Sequence, residues 1–80
     1  MSIGEAVKIR IIELCNERKI TINKLSTICG LTQSTLNNII HREGSNPTVA
    51  TVKKICDGLE ITMVQFFTSE IFDHLEQEIK

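Results

Sequence analysis

A stretch of twenty residues from Thr21 to Ile40 constrains the fold of this chain more than any other. It reads TINKLSTICGLTQSTLNNII. Leu25 and Ile28 lie three residues apart in its first half, and the same spacing separates Leu36 from Ile39 in its second half. Apolar residues at this spacing lie on one side of a helix. Each half is therefore predicted to form a short helix with one apolar stripe turned inward.

Gly30 lies between the two predicted helices, where the end of a helix favours a residue that tolerates positive φ. Thr32 follows and offers a hydroxyl that can cap the next helix. Two helices so close in sequence share one core and cross steeply. The stretch therefore predicts a helix-turn-helix, a motif whose second helix can project polar side chains into a DNA groove.

Length and composition favour a single all-α domain. Eighty residues can build one modest core, and one Pro with four Gly leaves little room for hairpins. No apolar run is long enough to span a bilayer, and the N-terminus lacks the apolar core of a signal peptide. Three widely spaced cysteines without a C-x-x-C pair favour a reducing compartment. We therefore expect a cytoplasmic protein with no membrane contact.

The charges are unevenly distributed along the chain. Residues 1–56 carry eight Lys/Arg and four acids, whereas residues 57–80 carry six acids and one Lys. The net charge of -1 therefore conceals a basic body and an acidic C-terminal part. This pattern is compatible with a polyanion bound to the body and a different role for the C-terminal part. Domains that bind no nucleic acid also carry such an excess, so charge alone does not decide the function.

Further helices are predicted on both sides of this stretch. A first helix covers residues 5–18, a third covers residues 33–40 and a fourth covers residues 49–59. Thr21, Thr48 and Thr62 are predicted to cap the second, fourth and fifth helices. The fifth contains Met63, Val64, Phe66 and Phe67, and an amphipathic helix is expected over residues 69–80, the tail. The predicted inner positions are Val7, Ile11, Leu14 and Cys15 in the first helix, Val52, Ile55, Cys56 and Leu59 in the fourth, and Ile71, Phe72, Leu75 and Ile79 in the tail.

A spaced set of residues runs through this order of helices. It consists of L-x-x-x-x-G-L-T-Q-S-T-L-x-x-I, followed by N-P-T and by K-K-I-C-D-G-L-x-I-T. Over roughly residues 5–67 the chain resembles the Cro and phage-repressor (XRE-type) helix-turn-helix family. The resemblance implies a five-helix lambda-repressor-like bundle that reads DNA operators, usually as a dimer on two-fold symmetric sites. It thus implies a sequence-specific transcriptional regulator, a repressor, with a DNA-binding domain over residues 1–68 and the tail outside it.

The resemblance also assigns roles to residues of the third helix and its borders. The base-reading positions of the family fall on Gln33, Ser34 and Asn38, with Asn37 adjacent. A Gln or Asn amide donates and accepts at once, which suits the N6 and N7 atoms of adenine. Residues that border the helices are expected to hold phosphates and fix the register. These are Thr21, Asn23, Lys24, Thr32, Thr35, His41, Arg42 and Ser45.

The chain departs from the family pattern in two places. The Gln that often opens the second helix is replaced by Ile22, so contacts there must come from backbone N–H groups, Asn23 or Lys24. The family often pairs an Arg late in the first helix with a Glu at the end of the third. Those positions are Cys15 and Ile40 here, and replacing a whole buried ion pair by apolar residues is often neutral or favourable.

The tail is the least constrained segment. A palindromic operator requires two recognition helices about 34 Å apart, so two copies must be held together. We expect a homodimer in which residues 63–79 form much of the interface, with Phe66, Ile71, Phe72, Leu75 and Ile79 as the contacting side chains. The alternative is a tail that only covers its own core, over Ile9 and Ile12.

Two further functional classes were weighed. A protein-interaction module of the same fold, such as an antitoxin or an anti-repressor, remains compatible with the acidic tail. An enzyme is not expected, because the sequence offers no nucleophile–base pair and no phosphate-binding glycine loop. His41 and His74 have no Cys or Asp partner at ligand spacing, so no metal site follows. No cofactor and no small-molecule effector are expected.

Overall fold

The structure of the protein is a computed structural model that describes residues 1–79. Over these residues the chain is all-helical, with five α-helices, one 3-10 turn and no strand. The all-α fold class predicted from the sequence is confirmed. The helices are α1 (Ile3–Arg18), α2 (Ile22–Cys29), α3 (Gln33–His41), α4 (Val49–Leu59) and α5 (Met63–Phe66), and the 3-10 turn covers Glu70–Asp73. None of the helices in the described residues combines the length and the apolar character that a membrane span requires.

Threonine caps begin four of the five helices, as the sequence predicted. The hydroxyls of Thr21, Thr32, Thr48 and Thr62 each accept a hydrogen bond from the backbone N–H three residues later, over 3.0–3.1 Å. Gly30 ends α2 with φ of 70°, the left-handed conformation expected there. Because these signals are local in sequence, they mark the helix boundaries without reference to any tertiary contact.

The core lies where α1, α2, α3 and α4 meet. Every inner position predicted for α1 and α4 is buried. Ile28 of α2 differs from the prediction, because it is 39% exposed while Cys29 is buried with Leu25. The inward stripe of α2 is therefore the i, i+4 pair Leu25 and Cys29. The buried core consists of Ala6, Val7, Ile11, Leu14, Cys15, Leu25, Cys29, Leu36, Ile39, Ile40, Val52, Ile55, Cys56, Leu59 and Phe66.

The three cysteine thiols are free and buried. Burial raises the pKa of the Cys29 thiol to about 11, and the neighbouring thiols of Cys15 and Cys56 add to the shift. At neutral pH such a thiol is protonated and packs as a small apolar group. Cys15 belongs to the same buried cluster as Ile40. The two positions where the family often has an ion pair are thus apolar and buried together.

Gly58 allows α2 to pack closely on α4. A Cβ atom at this position would lie 2.7 Å from Cys29 Sγ, 3.0 Å from Cys29 Cα and 3.1 Å from a methyl carbon of Ile28. The contact with Cys29 Cα is to backbone, so a rotamer change cannot relieve it. Any side chain at residue 58 must therefore push α2 away from α4, and α2 packs more extensively on α4 than on any other helix.

We expect Gly58→Ala to lower the free energy of unfolding by about 1–2 kcal/mol, because overpacking outweighs the better helix propensity of alanine. Urea unfolding at a fixed protein concentration measures the change. Lys54→Ala, on the exposed side of the same helix, is the matched control and should stay within about 0.5 kcal/mol of the wild type. A Gly58→Ala variant as stable as the wild type would contradict the close approach.

The tail does not form the predicted amphipathic helix. Within the described residues it contains one 3-10 turn, and residues 74–79 are irregular. The prediction of a helix over residues 69–80 is therefore wrong for the described part, and Lys80 lies outside the described residues. A helix this short is marginal by itself. The segment instead buries part of Phe72, whose ring centroid lies 4.9 Å from that of Phe67 and 6.3 Å from that of Phe66.

Arg10 fastens the end of α5 to α1. Its Nε donates to the carbonyl of Phe66 over 2.7 Å, and its NH2 group donates to the carbonyl of Gln65 over 3.0 Å. Its NH1 group also pairs with Glu13 over 2.7 Å. The carbonyls at the end of a helix lack intrahelical partners, and a guanidinium satisfies two of them at once. The tail then continues along α1, while Ile9 and Ile12 remain 37% exposed.

Candidate nucleic-acid interface

Helix α3 exposes one polar face and buries the opposite one. Leu36, Ile39 and Ile40 are buried, whereas Gln33, Ser34, Asn37, Asn38 and His41 are exposed. Gln33, Asn37 and His41 recur every four residues, so they share one face, and Ser34 and Asn38 lie beside them. All four residues predicted to read bases thus lie together on this surface, which we call the recognition face.

The amides of the recognition face are available for a ligand. Within residues 1–79, no hydrogen bond engages the side chains of Gln33, Asn37 or Asn38. Each amide carries both donors and an acceptor. The face therefore offers unsatisfied polar groups of both kinds, which is the chemistry that the edges of base pairs in the major groove require.

The segment that forms α2 and α3 is free of negative charge, and the first acid after it is Glu43. Residues 21–42 contain Lys24 and Arg42 and no Asp or Glu. Both side chains are exposed, and neither takes part in an ion pair within the described residues. A patch that carries positive charge and no acid attracts a polyanion.

Thr32 and Thr35 form a small network at the start of α3. The Thr32 hydroxyl accepts from the Thr35 N–H over 3.1 Å and donates to the Thr35 hydroxyl over 2.8 Å. The Thr32 proton is therefore used within the helix cap, while the Thr35 hydroxyl keeps its own proton for an external acceptor. Of these two predicted phosphate contacts, Thr35 has the side chain that can still donate.

Three more of the predicted phosphate contacts lie at the start of α2. Thr21, Asn23 and Lys24 are exposed, and the Thr21 hydroxyl accepts from the Lys24 N–H over 3.0 Å while keeping its own proton. Ile22, which stands where the family often has Gln, packs partly buried against the core. The donors at this helix end are thus the first backbone N–H groups of α2, the Thr21 hydroxyl and the side chains of Asn23 and Lys24.

The loop between α3 and α4 completes the border of the recognition face. His41 and Arg42 are exposed at its start, and Ser45 is half-buried. Gly4 in the first turn of α1 abuts this loop, since a Cβ there would lie 2.7 Å from the carbonyl oxygen of Ser45. Gly44 adopts φ of 77°, which turns the loop back toward α1. The loop is therefore seated on α1.

The comparisons with known proteins agree with this geometry. The family model described as "Cro/C1-type HTH DNA-binding domain" matches residues 10–70 of this chain. The chain belongs to this family. As a Cro/C1-type protein it carries a helix-turn-helix DNA-binding domain, and the family resemblance predicted from the sequence is confirmed. The motif consists of α2 and α3, which places the recognition face on its second helix.

A solved structure has the same overall fold as this chain. The crystal structure of the prophage Lp1 protein 11 matches with a TM-score of 0.80 and 33% sequence identity. The match covers 94% of this chain and 100% of the prophage protein. No curated protein matches the chain.

The residues predicted to form a dimer interface differ widely in exposure. Phe66 is fully buried in its own core, and Phe72 is half-buried against it. Ile71 and Leu75 are half-buried, and Ile79 is 87% exposed. Within one protomer Phe66 thus offers no surface to a second copy. Val64 of α5 and Phe67, which directly follows α5, are 79% and 38% exposed. Both lie within the predicted interface range 63–79, but they were not among its predicted contacting side chains.

Two residues that position neighbouring segments were not predicted from the sequence. Gly4 seats the loop that carries Ser45, and Arg10 holds α5 against α1. Gly4 directly precedes the predicted first helix, residues 5–18, where a glycine can mark a close approach of two backbone segments. No local signal points to Arg10, because its carbonyl partners lie 55 and 56 residues away in sequence.

We expect Thr32→Ala to lower the free energy of unfolding by about 0.5–2 kcal/mol, because the N-cap of the recognition helix is lost. Thr32→Ser keeps the hydroxyl and is the matched control, so it should unfold close to the wild type. Thermal unfolding followed by circular dichroism gives both values. Equal losses in the two variants would show that the threonine methyl group and not the cap carries the stability.

Proposed function

We propose that this Cro/C1-type protein is a sequence-specific transcriptional repressor that reads a two-fold symmetric DNA operator through the major groove with residues 33–40. The observation that carries the proposal is the exposed recognition face of α3, with free amides on Gln33, Asn37 and Asn38. Repression follows from occupancy, since a dimer bound to the duplex excludes other proteins from the same site.

In this proposal the amides of Gln33 and Asn38 make paired hydrogen bonds with adenines, and Ser34 and Asn37 contact neighbouring bases. A good paired contact is worth about 1–3 kcal/mol of discrimination against the wrong base. The recognition face contains no Lys or Arg, and Arg or Lys is the usual partner of guanine. The half-site is therefore expected to be rich in A·T pairs opposite α3.

The phosphates on either side of the groove are held by different groups. Lys24 and Arg42 supply positive charge, and the Thr35 hydroxyl supplies a free donor. The start of α2, with Thr21 and Asn23, adds backbone N–H groups at a helix N-terminus. Thr32, His41 and Ser45 complete the border. These contacts fix the register of α3 in the groove without reading sequence.

The test is selection from a random-sequence DNA pool, followed by measurement of binding constants on the enriched duplex. We expect a two-fold symmetric motif, and Gln33→Ala and Asn38→Ala should each weaken binding to it by roughly 5-fold to 150-fold. Asn16→Ala removes an exposed amide from α1 and is the matched control.

Three results would speak against this function. Steep salt dependence without enrichment of any motif would mean phosphate attraction alone. An equal loss in Asn16→Ala would remove the argument for direct readout. No binding at moderate salt would favour the alternative of a protein-interaction module, such as an antitoxin or an anti-repressor.

The proposed dimer uses α5 and the tail, with residues 1–68 as the DNA-binding domain and residues 69–80 as an added interface element. Val64 of α5 and Phe67, which directly follows α5, form an exposed apolar surface, and Ile71, Leu75 and Ile79 extend it. Phe72 packs against this surface through a ring contact with Phe67, at a centroid distance of 4.9 Å. A charge placed in such a surface must be desolvated when two copies meet.

We expect Val64→Asp and Leu75→Asp to shift the protein toward monomer in sedimentation velocity. Val49→Asp is the matched control, because Val49 is 75% exposed on the first turn of α4, away from the proposed interface. An unchanged oligomeric state in both test variants, or the same shift in the control, would refute this interface.

A further inference from the structure

The end of the tail runs back along α1 to its N-terminus. Residues 74–79, which we call the strap, are irregular. The backbone N–H of Glu76 donates to the carbonyl of Met1 over 2.9 Å, and the Glu76 carboxylate lies 3.9 Å from the Met1 amino group. The strap is thus attached to the start of α1 by one hydrogen bond and one exposed ion pair.

Glu78 extends the strap to the loop between α3 and α4. It lines a cleft of about 320 Å³ together with Lys8, Ser45 and Asn46, and with two further acids, Glu5 and Glu43. It also lines a second cleft, of about 280 Å³, with Asn46 and Pro47. The strap therefore adds the carboxylate of Glu78 to the acids beside the segment that directly follows the recognition helix.

The strap increases the negative charge of this cleft, because Glu78 joins Glu5 and Glu43 there. From Glu70 to Ile79 the tail carries four acids and no Lys or Arg, in contrast to residues 21–42, which carry no acid. Phosphates held by Arg42 and Ser45 would lie at the same loop as Glu78. Like charges separated by less than the Debye length, about 10 Å at 0.1 M salt, repel each other with little screening.

We propose that the strap is an autoinhibitory contact that weakens DNA binding by holding Glu78 beside the phosphate-binding loop. The inference rests on the proposed function, because it takes Arg42 and Ser45 as phosphate contacts. Release of the strap from α1 then raises the affinity for DNA. Its attachment through Glu76 is weak enough to break without disturbing the buried core, because an exposed ion pair contributes little to stability.

The inhibitory role of the strap is tested by removing one charge at a time from the full chain. Glu78→Gln keeps the size of the side chain, and Glu76→Gln removes the ion pair with Met1. Glu70→Gln removes the same charge from the other end of the tail, at the 3-10 turn, and is the matched control because Glu70 lines neither cleft. Dissociation constants are measured by fluorescence anisotropy on the duplex enriched from the random pool, at about 50 and 200 mM salt.

We expect Glu78→Gln and Glu76→Gln to bind about twofold to fourfold more tightly than the wild type at the lower salt concentration, with the gain shrinking at the higher one. Glu70→Gln should bind like the wild type. Glu78→Lys, with the charge reversed, should increase the gain further.

Two outcomes would overturn the inference. An equal gain in DNA affinity in Glu78→Gln and Glu70→Gln would mean that only net charge matters. An unchanged DNA affinity in Glu78→Gln would mean that Glu78 does not inhibit binding. Both results leave the proposed function standing, because the wild type binds its duplex in each. If neither the wild type nor any variant binds DNA, the proposed function fails and the inference fails with it.

Discussion

The close approach of α2 to α4 at Gly58 is the contact on which the rest of the structure depends. Because residue 58 has no side chain, Cys29 of α2 can pack against the backbone of α4. That contact seats α2, whose Leu25 is fully buried, and α3 packs on α2 through Leu36. The recognition face is thus carried by a helix that packs on α2, which in turn packs closely on α4.

The candidate interface combines local and long-range causes. Its helix boundaries follow from threonine hydroxyls and one positive-φ glycine, and its polar character follows from the run of Gln, Ser and Asn in α3. Its outer border depends on α1, because the loop that carries Ser45 is seated on Gly4. The apolar pair Cys15 and Ile40 stabilises the bundle without an ion pair, which avoids the cost of burying two charges.

The tail contacts the rest of the molecule in two ways. Phe72 packs beside Phe66 and Phe67 and so extends the core, and Arg10 binds the carbonyls at the end of α5. Beyond the 3-10 turn, the strap is held by backbone and ionic contacts at the first residue of the chain. The half-buried part of the tail packs on the core through Phe72, and its acidic end is attached by one hydrogen bond and one exposed ion pair, so the two parts can serve different roles.

The sequence by itself determined the helices from α1 to α4, their caps and the recognition face, because each depends on residues no more than a few positions apart. The inner faces of α1 and α4 followed from spacing alone. The tertiary structure decided which side of α2 is buried, since Ile28 and Cys29 both fit an apolar stripe, and in the fold Cys29 packs against Gly58 and is buried while Ile28 is 39% exposed. It also decided that the tail forms a 3-10 turn and a strap, because the apolar spacing of Phe72 and Leu75 suits a helix equally well. Partners that lie 55 or more residues apart, such as Arg10 and Phe66, leave no local pattern, and they are known only once the chain has folded.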